Sequence, residues 1–401
     1  MTGKERLLLF ILACINFANI VDFMIMMPLQ EYLIPIYHIT PFEFSVLVFA
    51  YAASAFLASF TASFFADRFD RKKVLLFAFS GFLLGTAGCG FAESYEFLFA
   101  CRIIAGLFGG MISAQAQAIV GDTFPYEKRG RAMGALMGAF AAASVVGVPA
   151  SLWLAATYHW QTPFMIIAIF GIILLPLILL YIPKMNSHVG KAEHTEPVLK
   201  TVMSDRNMQM GLLMMFTLIF SHFIIIPTLA AYLEVNLRLH KTDVALMYFI
   251  GGFVSLFSSV LAGKLADKYG KHIVFYVSMV LSVIPVIMIT HMTSHSLVLI
   301  LTATSSFFLI AGGRFVPAQA LIASVVQPHQ RGSFLNLNAS LTQLATGLSS
   351  LAGGLIVIKD AAGLYQHYDI AGYVGVAVAL LCLFFSTKVR AVELGSTVKG
   401  K

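Results

Sequence analysis

Long, nearly charge-free runs of apolar residues recur along the whole chain. A helix of roughly 20 apolar residues crosses the hydrocarbon core of a bilayer, where only helices and closed barrels satisfy their backbone hydrogen bonds. The runs are continuous and do not alternate with polar residues, which favours helices over barrel strands. Apolar types make up 59% of the 401 residues and charged types 11%, against roughly 25% charged in soluble domains. The sequence therefore predicts an all-α membrane protein.

Twelve membrane-spanning helices are predicted, six on each side of the longest polar stretch. The predicted spans are 7–33, 43–66, 74–92, 96–121, 132–156, 163–183, 208–233, 243–266, 273–291, 296–323, 333–357 and 370–387. The polar stretch predicts three parts, which are a six-helix bundle over 1–183, a linker over 184–207, and a six-helix bundle with a short tail over 208–401.

The basic residues predict the orientation in the membrane. Of the 26 lysines and arginines, only Arg238, Lys241 and Lys359 fall in loops on the side away from the termini, and Arg102 and Arg314 fall inside spans. Positive charge concentrates in cytoplasmic loops, so we expect both termini in the cytoplasm and the chain in a bacterial inner membrane. The net charge of +7 follows from this loop pattern, and no nucleic-acid partner is expected.

The two halves resemble each other at an offset of about 200 residues, which indicates an internal repeat. Four pairs of segments match, namely 63–72 with 263–272, Pro28 and Tyr32 with Pro227 and Tyr232, 114–116 with 318–320, and Pro125 and Arg129 with Pro328 and Arg331. Several matches at nearly one offset are stronger than any single match.

Motifs across the chain resemble those of the major facilitator superfamily, in particular its drug:proton antiporters and arabinose-efflux-type permeases. The matching segments are Asp67-Arg68-x-x-Arg71-Lys72 between spans two and three, Arg102-x-x-x-Gly106-x-x-Gly109 in span four, Gly138 to Pro149 in span five, Trp160-x-x-Pro163-Phe164, and Asp22 to Pro28 in span one. The resemblance covers the whole twelve-helix plan of that family, and it implies two pseudo-symmetric six-helix bundles and proton-coupled transport.

Charged loop residues on the side of the termini are expected to latch the two halves in one state and release them in the other. The resemblance implies that the loop after span two interacts with an acidic residue at the end of span four, where Asp122 stands. The predicted latch residues are Asp67, Arg68, Arg71, Asp122, Asp267 and Lys271. The alternative is that these charges only set the topology.

Asp22 lies in the middle of span one and is the predicted proton-coupling site. Ionisable groups inside a membrane are rare and usually functional, and a carboxyl group in a low-dielectric site can exchange a proton near neutral pH. Asn19, Asp22, Met26 and Gln30 share one stripe at helical spacing, as expected for the wall of a cavity. The alternative is an aspartate that is permanently paired with an arginine.

Three other ionisable residues lie deep inside spans. Arg314 is expected to bind an anionic substrate through its forked guanidinium, or to pair structurally with Asp22 or a carbonyl group. The resemblance implies that Arg102 supports the proton site, and the alternative is that it reaches toward the outer surface. His222 is a second candidate for proton coupling, or has a structural role.

Polar stripes on two further helices are candidates for binding the solute. Ser113 and Gln117 lie on the face of span four that carries Arg102, and Asn336, Ser340 and Gln343 follow one face of span eleven. Such stripes face either a central cavity or a neighbouring helix.

The function predicted from these features is proton-coupled efflux of a small organic solute by alternating access. A proton-coupled importer of a small, possibly anionic metabolite would have the same fold and coupling residues, so it remains an alternative. An enzyme or a channel would need a reactive motif or a repeated filter, and neither is visible. We expect no cofactor, the proton gradient as energy source, a small-molecule substrate and the lipid bilayer as partners, no metal, and action as a monomer.

Overall fold

The computed structural model describes residues 2–65, 69–124, 126–185, 198–327 and 331–392. Twelve helical spans follow one another in the order that the sequence predicts. The first six are span 1 (Gly3–Met26, Met27–Leu29 and Gln30–Tyr37), span 2 (Pro41–Phe65), span 3 (Arg71–Gly90), span 4 (Tyr95–Thr123), span 5 (Tyr126–Ala142, Ala143–Gly147 and Val148–Thr157) and span 6 (Thr162–Tyr181).

The second half repeats this plan after a short helix, Val198–Ser204. Its spans are span 7 (Arg206–Phe223 and Ile226–Val235), span 8 (Lys241–Tyr269), span 9 (Lys271–Leu281 and Val283–Thr290), span 10 (Leu297–Ser324), span 11 (Arg331–Ile356) and span 12 (Tyr368–Ser386). Among the described residues, eleven helical segments are long and apolar enough to cross a membrane. Span 11 falls outside that set because asparagine, glutamine, serine and threonine interrupt its apolar residues.

Local sequence explains where the spans begin and where they bend. Asp70 accepts hydrogen bonds from the Lys72 and Lys73 amides and so caps span 3, and Asp205 caps span 7 in the same way. Spans 1, 5, 7 and 9 are each interrupted next to a proline, which cannot donate the helical hydrogen bond. In span 5 the interruption is a five-residue π-helical turn, Ala143–Gly147.

The buried apolar residues form three clusters, and their distribution shows how the halves meet. One cluster lies in the first half and another in the second half, both toward the face that carries the chain ends, which we call the terminal face. The third cluster combines residues of both halves and lies toward the other face, which we call the opposite face. The two bundles are therefore packed together at the opposite face.

Close helix contacts join the halves along two pairs of spans. Span 11 packs against span 2, where Gly347 approaches Ala52 and Phe49. Span 8 packs against span 5, where Gly252 leaves no room for a Cβ atom beside the Ser144 backbone. Small residues allow such close approach between helices in a membrane.

Candidate functional site

A buried ion pair lies inside the first half, between spans 1, 3 and 4. Arg102 Nη1 donates to Asp22 Oδ2 at 2.9 Å, and both side chains are 0% exposed. The Thr86 hydroxyl donates to the other carboxylate oxygen, Asp22 Oδ1, at 3.0 Å. The carboxylate is thus bound on both oxygens by neighbouring helices of its own bundle, and it does not lie on an open cavity wall in this structure.

Tyr51 and Asn19 extend this pair into a polar network. The Tyr51 ring covers the guanidinium of Arg102, with 4.4 Å between Arg102 Cζ and the ring centroid. The Tyr51 hydroxyl donates to Asn19 Oδ1 at 2.8 Å. Asn19 Nδ2 in turn donates to the Gly109 carbonyl and to Ser113 Oγ, each at 3.3 Å. The network therefore ties spans 1, 2 and 4 to the ion pair.

The same tyrosine places the ion pair one helix away from the interface between the halves. Phe49 and Ala52, on either side of Tyr51 in span 2, contact Gly347 of span 11. Arg102 Nε and Nη2 are buried and have no hydrogen-bond partner among the described residues. The guanidinium is consequently held by the carboxylate and the backbone carbonyl of Asp22 and by one ring. A change at Asp22 therefore bears directly on span 2.

The second half contains a comparable cluster in which the acid is replaced by a histidine. Arg314 Nη2 lies 2.9 Å from His222 Nδ1, and Arg314 Nη1 donates to Ser282 Oγ at 3.4 Å. A guanidinium can only donate, so His222 Nδ1 is the acceptor and the ring is neutral. Phe307 stacks on that ring with 4.9 Å between centroids.

The positions of the two arginines decide between alternatives that the sequence left open. The arginine paired with Asp22 is Arg102, so the interpretation of Arg314 as a structural partner of Asp22 is wrong. Arg102 is fully buried, so the interpretation that it reaches toward the outer surface is also wrong. The Arg314 guanidinium points toward spans 7 and 9 of its own bundle, where it meets the neutral imidazole of His222 and the hydroxyl of Ser282.

The remaining predicted solute-binding residues are partly brought together. The stripe on span 1 is buried along its whole length, which comprises Asn19, Asp22, Met26 and Gln30. Asn19 meets Ser113, as described above. Gln117, Asn336 and Gln343 are half-buried, and none of their side chains makes a hydrogen bond within the described part of the chain. The Ser340 hydroxyl donates to the Asn336 carbonyl of its own helix at 3.1 Å.

Two of the six predicted latch residues pair with each other on the terminal face. Arg71 Nε lies 3.1 Å from Asp122 Oδ2, joining the start of span 3 to the end of span 4 within the first half. Asp67 and Arg68 lie outside the described residues. Asp267 and Lys271 are exposed, and they form no hydrogen bond or ion pair with any other residue that the structure describes.

An inter-half contact on the opposite face was not predicted. Glu31, at the end of span 1, lies 2.9 Å from Lys359 Nζ and also accepts a hydrogen bond from the Tyr365 hydroxyl. Gln30 Nε2 donates to the same hydroxyl at 3.1 Å. Asn236, after span 7, exchanges two hydrogen bonds with the Tyr365 backbone, at 2.8 and 2.9 Å. We call these five residues the opposite-face clasp.

A two-stranded hairpin between spans 11 and 12 carries the second-half side of the clasp. Its strands are Ile358–Lys359 and Tyr365–Gln366, with Lys359 opposite Tyr365. Asp360 closes the loop by accepting from Gln366 Nε2 at 2.7 Å and from the Ala362 and Leu364 amides. These hydrogen bonds, led by that of Gln366, hold the pKa of Asp360 below its ordinary value. Burial and the adjacent Glu31 raise the pKa of Tyr365, so its phenol stays a donor.

Sequence reasoning missed Tyr51, Thr86 and the clasp residues other than Gln30 for identifiable reasons. Tyr51 and Thr86 are uncharged, and only helix rotation brings them to Asp22. Glu31 carries a usable signal, since it is an acidic residue inside the predicted span 7–33. Lys359 is a similar signal, as one of the few basic residues on its side of the membrane.

Comparisons with known proteins place the chain among transporters. The family model described as Major Facilitator Superfamily matches residues 12–215 and again 211–399. The chain is 24% identical to the uncharacterized MFS-type transporter YbcL of Bacillus subtilis, over 81% of this chain and 82% of that protein. It is 25% identical to the multi-drug resistance efflux pump PmrA of Streptococcus pneumoniae, over 86% of each. A crystal structure of a D-xylose-proton symporter superimposes with a TM-score of 0.80 and 15% identity, covering 98% of this chain and 99% of that one.

Proposed function

Because the chain belongs to the major facilitator superfamily, we propose that it exports a small organic solute in exchange for protons, by alternating access of two six-helix bundles. The observation that carries the proposal is the Asp22–Arg102 pair, in which the titratable carboxylate of Asp22 is completely buried inside the membrane domain. A relative over most of the chain is a multi-drug resistance efflux pump, which supports efflux as the direction.

The proton step follows from the surroundings of Asp22. Protonation removes the negative charge that balances Arg102, and an unbalanced buried charge costs several kcal/mol. Arg102 keeps its own charge at any physiological pH, so the guanidinium moves or becomes hydrated. Tyr51 lies on that guanidinium, and the flanking residues of span 2 pack on span 11. Protonation is thereby coupled to the interface between the halves.

Alternating access requires the closed face to open. The clasp and the mixed apolar cluster hold the opposite face closed in this structure. A state that opens to this face must separate Glu31 from Lys359 and Tyr365. On the terminal face, we assign the predicted charges of the loop after span 2, next to the Arg71–Asp122 pair, to the contacts that close the complementary state.

Solute binding is assigned to the half-buried polar side chains of spans 4 and 11. The side-chain amides of Gln117, Asn336 and Gln343 make no hydrogen bond to a described residue, so they can bind a solute. The Ser113 hydroxyl is assigned to the same set and lies at the edge of the Asn19 network. Arg314 contributes no charge to this set, because its guanidinium is turned into its own bundle. The proposed solute therefore needs no anionic group.

The orientation that accompanies this function places both termini in the cytoplasm of a bacterial cell. The concentration of lysine and arginine in the loops of the terminal face supports it. In this orientation the clasp faces outward, and the structure is closed to the outside.

A transport assay in everted membrane vesicles tests the direction. A thermal-shift screen of the purified protein against antibiotics, sugars and organic acids first selects a solute that binds. In everted vesicles with an acidic lumen, an antiporter accumulates that solute and releases protons from the lumen in the same experiment. Solute leaving the vesicles together with protons would instead indicate symport.

A further inference from the structure

Arg314 carries a buried positive charge that the described protein does not balance. The residue is 2% exposed, and its two hydrogen-bond partners, His222 Nδ1 and Ser282 Oγ, are both neutral. No carboxylate of a described residue is within ion-pair or hydrogen-bond distance of it. The neighbouring thiol of Cys382 donates to the Met214 carbonyl at 3.2 Å, so it is also uncharged.

Arg102 provides the comparison within the same molecule. Both arginines lie on the fourth span of their half, both are almost completely buried, and both bond to a residue of the first span. A hydroxyl group of the third span completes each cluster, on Asp22 in the first half and on Arg314 in the second. Arg102 has a carboxylate at 2.9 Å, whereas Arg314 has an imidazole at the same distance. Transferring a cation into a low-dielectric interior without a counter-charge is strongly unfavourable, so the second cluster lacks one negative charge.

A small cavity lies next to the unbalanced guanidinium. It has a volume of ≈ 10 Å³, and its walls include Arg314, Ser221, Ser282 and Gly375. Arg314 Nε is buried and has no hydrogen-bond partner among the described residues. The Ser221 and Ser282 hydroxyls now donate to carbonyls of their own helices, and a hydroxyl hydrogen can rotate toward another acceptor.

We infer that this cavity, between spans 7, 9, 10 and 12, binds a monatomic anion of the size of chloride as the counter-ion of Arg314. The cavity has space for one small ion and no room for a carboxylate-bearing metabolite or a phosphate. The remaining walls are small or apolar, namely Val283, Val286, Val376 and Ala379, so the guanidinium and two hydroxyls supply the donors. The site is separate from Asp22 and from the half-buried polar residues of spans 4 and 11, and it does not depend on what the protein transports.

The test is thermal unfolding of the purified full-length protein in chloride, bromide and gluconate salts of sodium, at equal ionic strength and pH. We expect chloride and bromide to raise the unfolding temperature in a saturable way relative to gluconate, because a ligand of the folded state stabilises it. Equal unfolding temperatures in all three salts would show that the cavity holds only water, and would overturn the inference.

Three variants identify the residue responsible. His222→Asp places a carboxylate oxygen where Nδ1 now lies, so the chain itself balances Arg314 and the halide effect should disappear while the protein stays folded. Arg314→Gln should also lose the effect. Lys268→Gln, which removes an exposed cation of the same half, should keep it. A halide effect that persists in both His222→Asp and Arg314→Gln would be a general salt effect and would contradict the site.

Crystallography gives a readout that is independent of stability. In crystals grown in bromide, the anomalous difference map should show one bromide beside Arg314 Nε. An ordered bromide in the same cavity of the His222→Asp variant would contradict the charge-balance argument.

Discussion

The carboxylate of Glu31 in the first half lies 2.9 Å from the ammonium group of Lys359 in the second half, and it also accepts the hydroxyl of Tyr365. These residues are more than 300 positions apart, yet they join the two bundles at the face where the mixed apolar cluster is buried. The ion pair is therefore positioned to set the equilibrium between the closed and open states of this face.

Removing the ion pair should shift that equilibrium toward the open state. A partly buried pair of this kind contributes on the order of 1 kcal/mol, so Glu31→Gln or Lys359→Met should raise the open population about fivefold. Spin labels at Glu96 and Thr242, which are exposed on the opposite face, would measure the distance between the halves. The double variant should equal either single variant if the two residues act as a pair.

Arg238→Gln is the matched control for the clasp, since Arg238 is an exposed cation on the same face with no hydrogen bond or ion pair to a described residue. An unchanged label distance in Glu31→Gln, or an equal change in Arg238→Gln, would remove the clasp from its proposed role.

The clasp should persist at alkaline pH. Burial and the adjacent Glu31 raise the pKa of Tyr365, whereas an unperturbed tyrosine ionises near pH 10. A group whose pKa is raised on folding contributes stability that is complete below its unfolded pKa and is lost as the pH rises through its folded pKa. Ionisation of Tyr365 should therefore not open this face between neutral pH and about pH 10.

Ultraviolet titration of the phenols measures the same group directly. The difference between wild type and Tyr365→Phe should be a tyrosine that ionises only above the range of an ordinary phenol. Tyr158→Phe, which removes one exposed ring, is the control. A difference that titrates in the ordinary range would show that Tyr365 is not buried against Glu31.

Thr86→Val should destabilise the protein, although the side chains of threonine and valine are nearly equal in shape. The substitution removes the hydroxyl that donates to Asp22 Oδ1 at 3.0 Å, and a buried charged acceptor that loses a donor costs about 1–3 kcal/mol. The unfolding midpoint in detergent should fall. Thr302→Val is the control, because Thr302 is exposed and its hydroxyl bonds only to the Val298 carbonyl of its own helix. Equal midpoints for the two variants would contradict the assigned hydrogen bond.

Gly110→Ala should separate spans 2 and 4. A Cβ atom at Gly110 would overlap the Ala55 backbone, which cannot move without the helix. Gly263→Ala adds the same methyl group where the nearest atom is Val316 Cγ1 at 4.0 Å, so it should be neutral or stabilise the helix by roughly 0.5–1 kcal/mol. The unfolding midpoint should fall for Gly110→Ala and should stay the same or rise for Gly263→Ala. An unchanged or higher midpoint for Gly110→Ala would mean that close packing at Gly110 is unimportant.

The fold could be predicted from sequence because the bilayer restricts it strongly. A helix must cover the hydrocarbon thickness, so the predicted boundaries agree closely with the structure, as for the predicted span 43–66 and the observed helix Pro41–Phe65. The free-energy cost of placing an ionisable group deep in the bilayer also identified the residues that need a partner, which are Asp22, Arg102, His222 and Arg314.

The pairing of those four residues could not be predicted in the same way. Hydropathy fixes the length of a helix but not its rotation, so Asp22 is equally compatible with Arg102 and Arg314 on sequence grounds. Packing decides the rotation, and it turns each arginine toward the first span of its own half. The clasp was hidden for another reason, since Lys359 and Tyr365 lie in a short hairpin that only the tertiary structure brings to Glu31.

Proton coupling through Asp22 is tested most directly by comparing Asp22→Asn with wild type in proteoliposomes, using the solute selected by the thermal-shift screen. The variant should fold and exchange solute across the membrane without a gradient, but it should not accumulate solute when a pH gradient is imposed. Glu93→Gln, which neutralises an exposed carboxylate at the end of span 3, should behave like wild type. Gradient-driven accumulation by Asp22→Asn at the wild-type level would contradict the account.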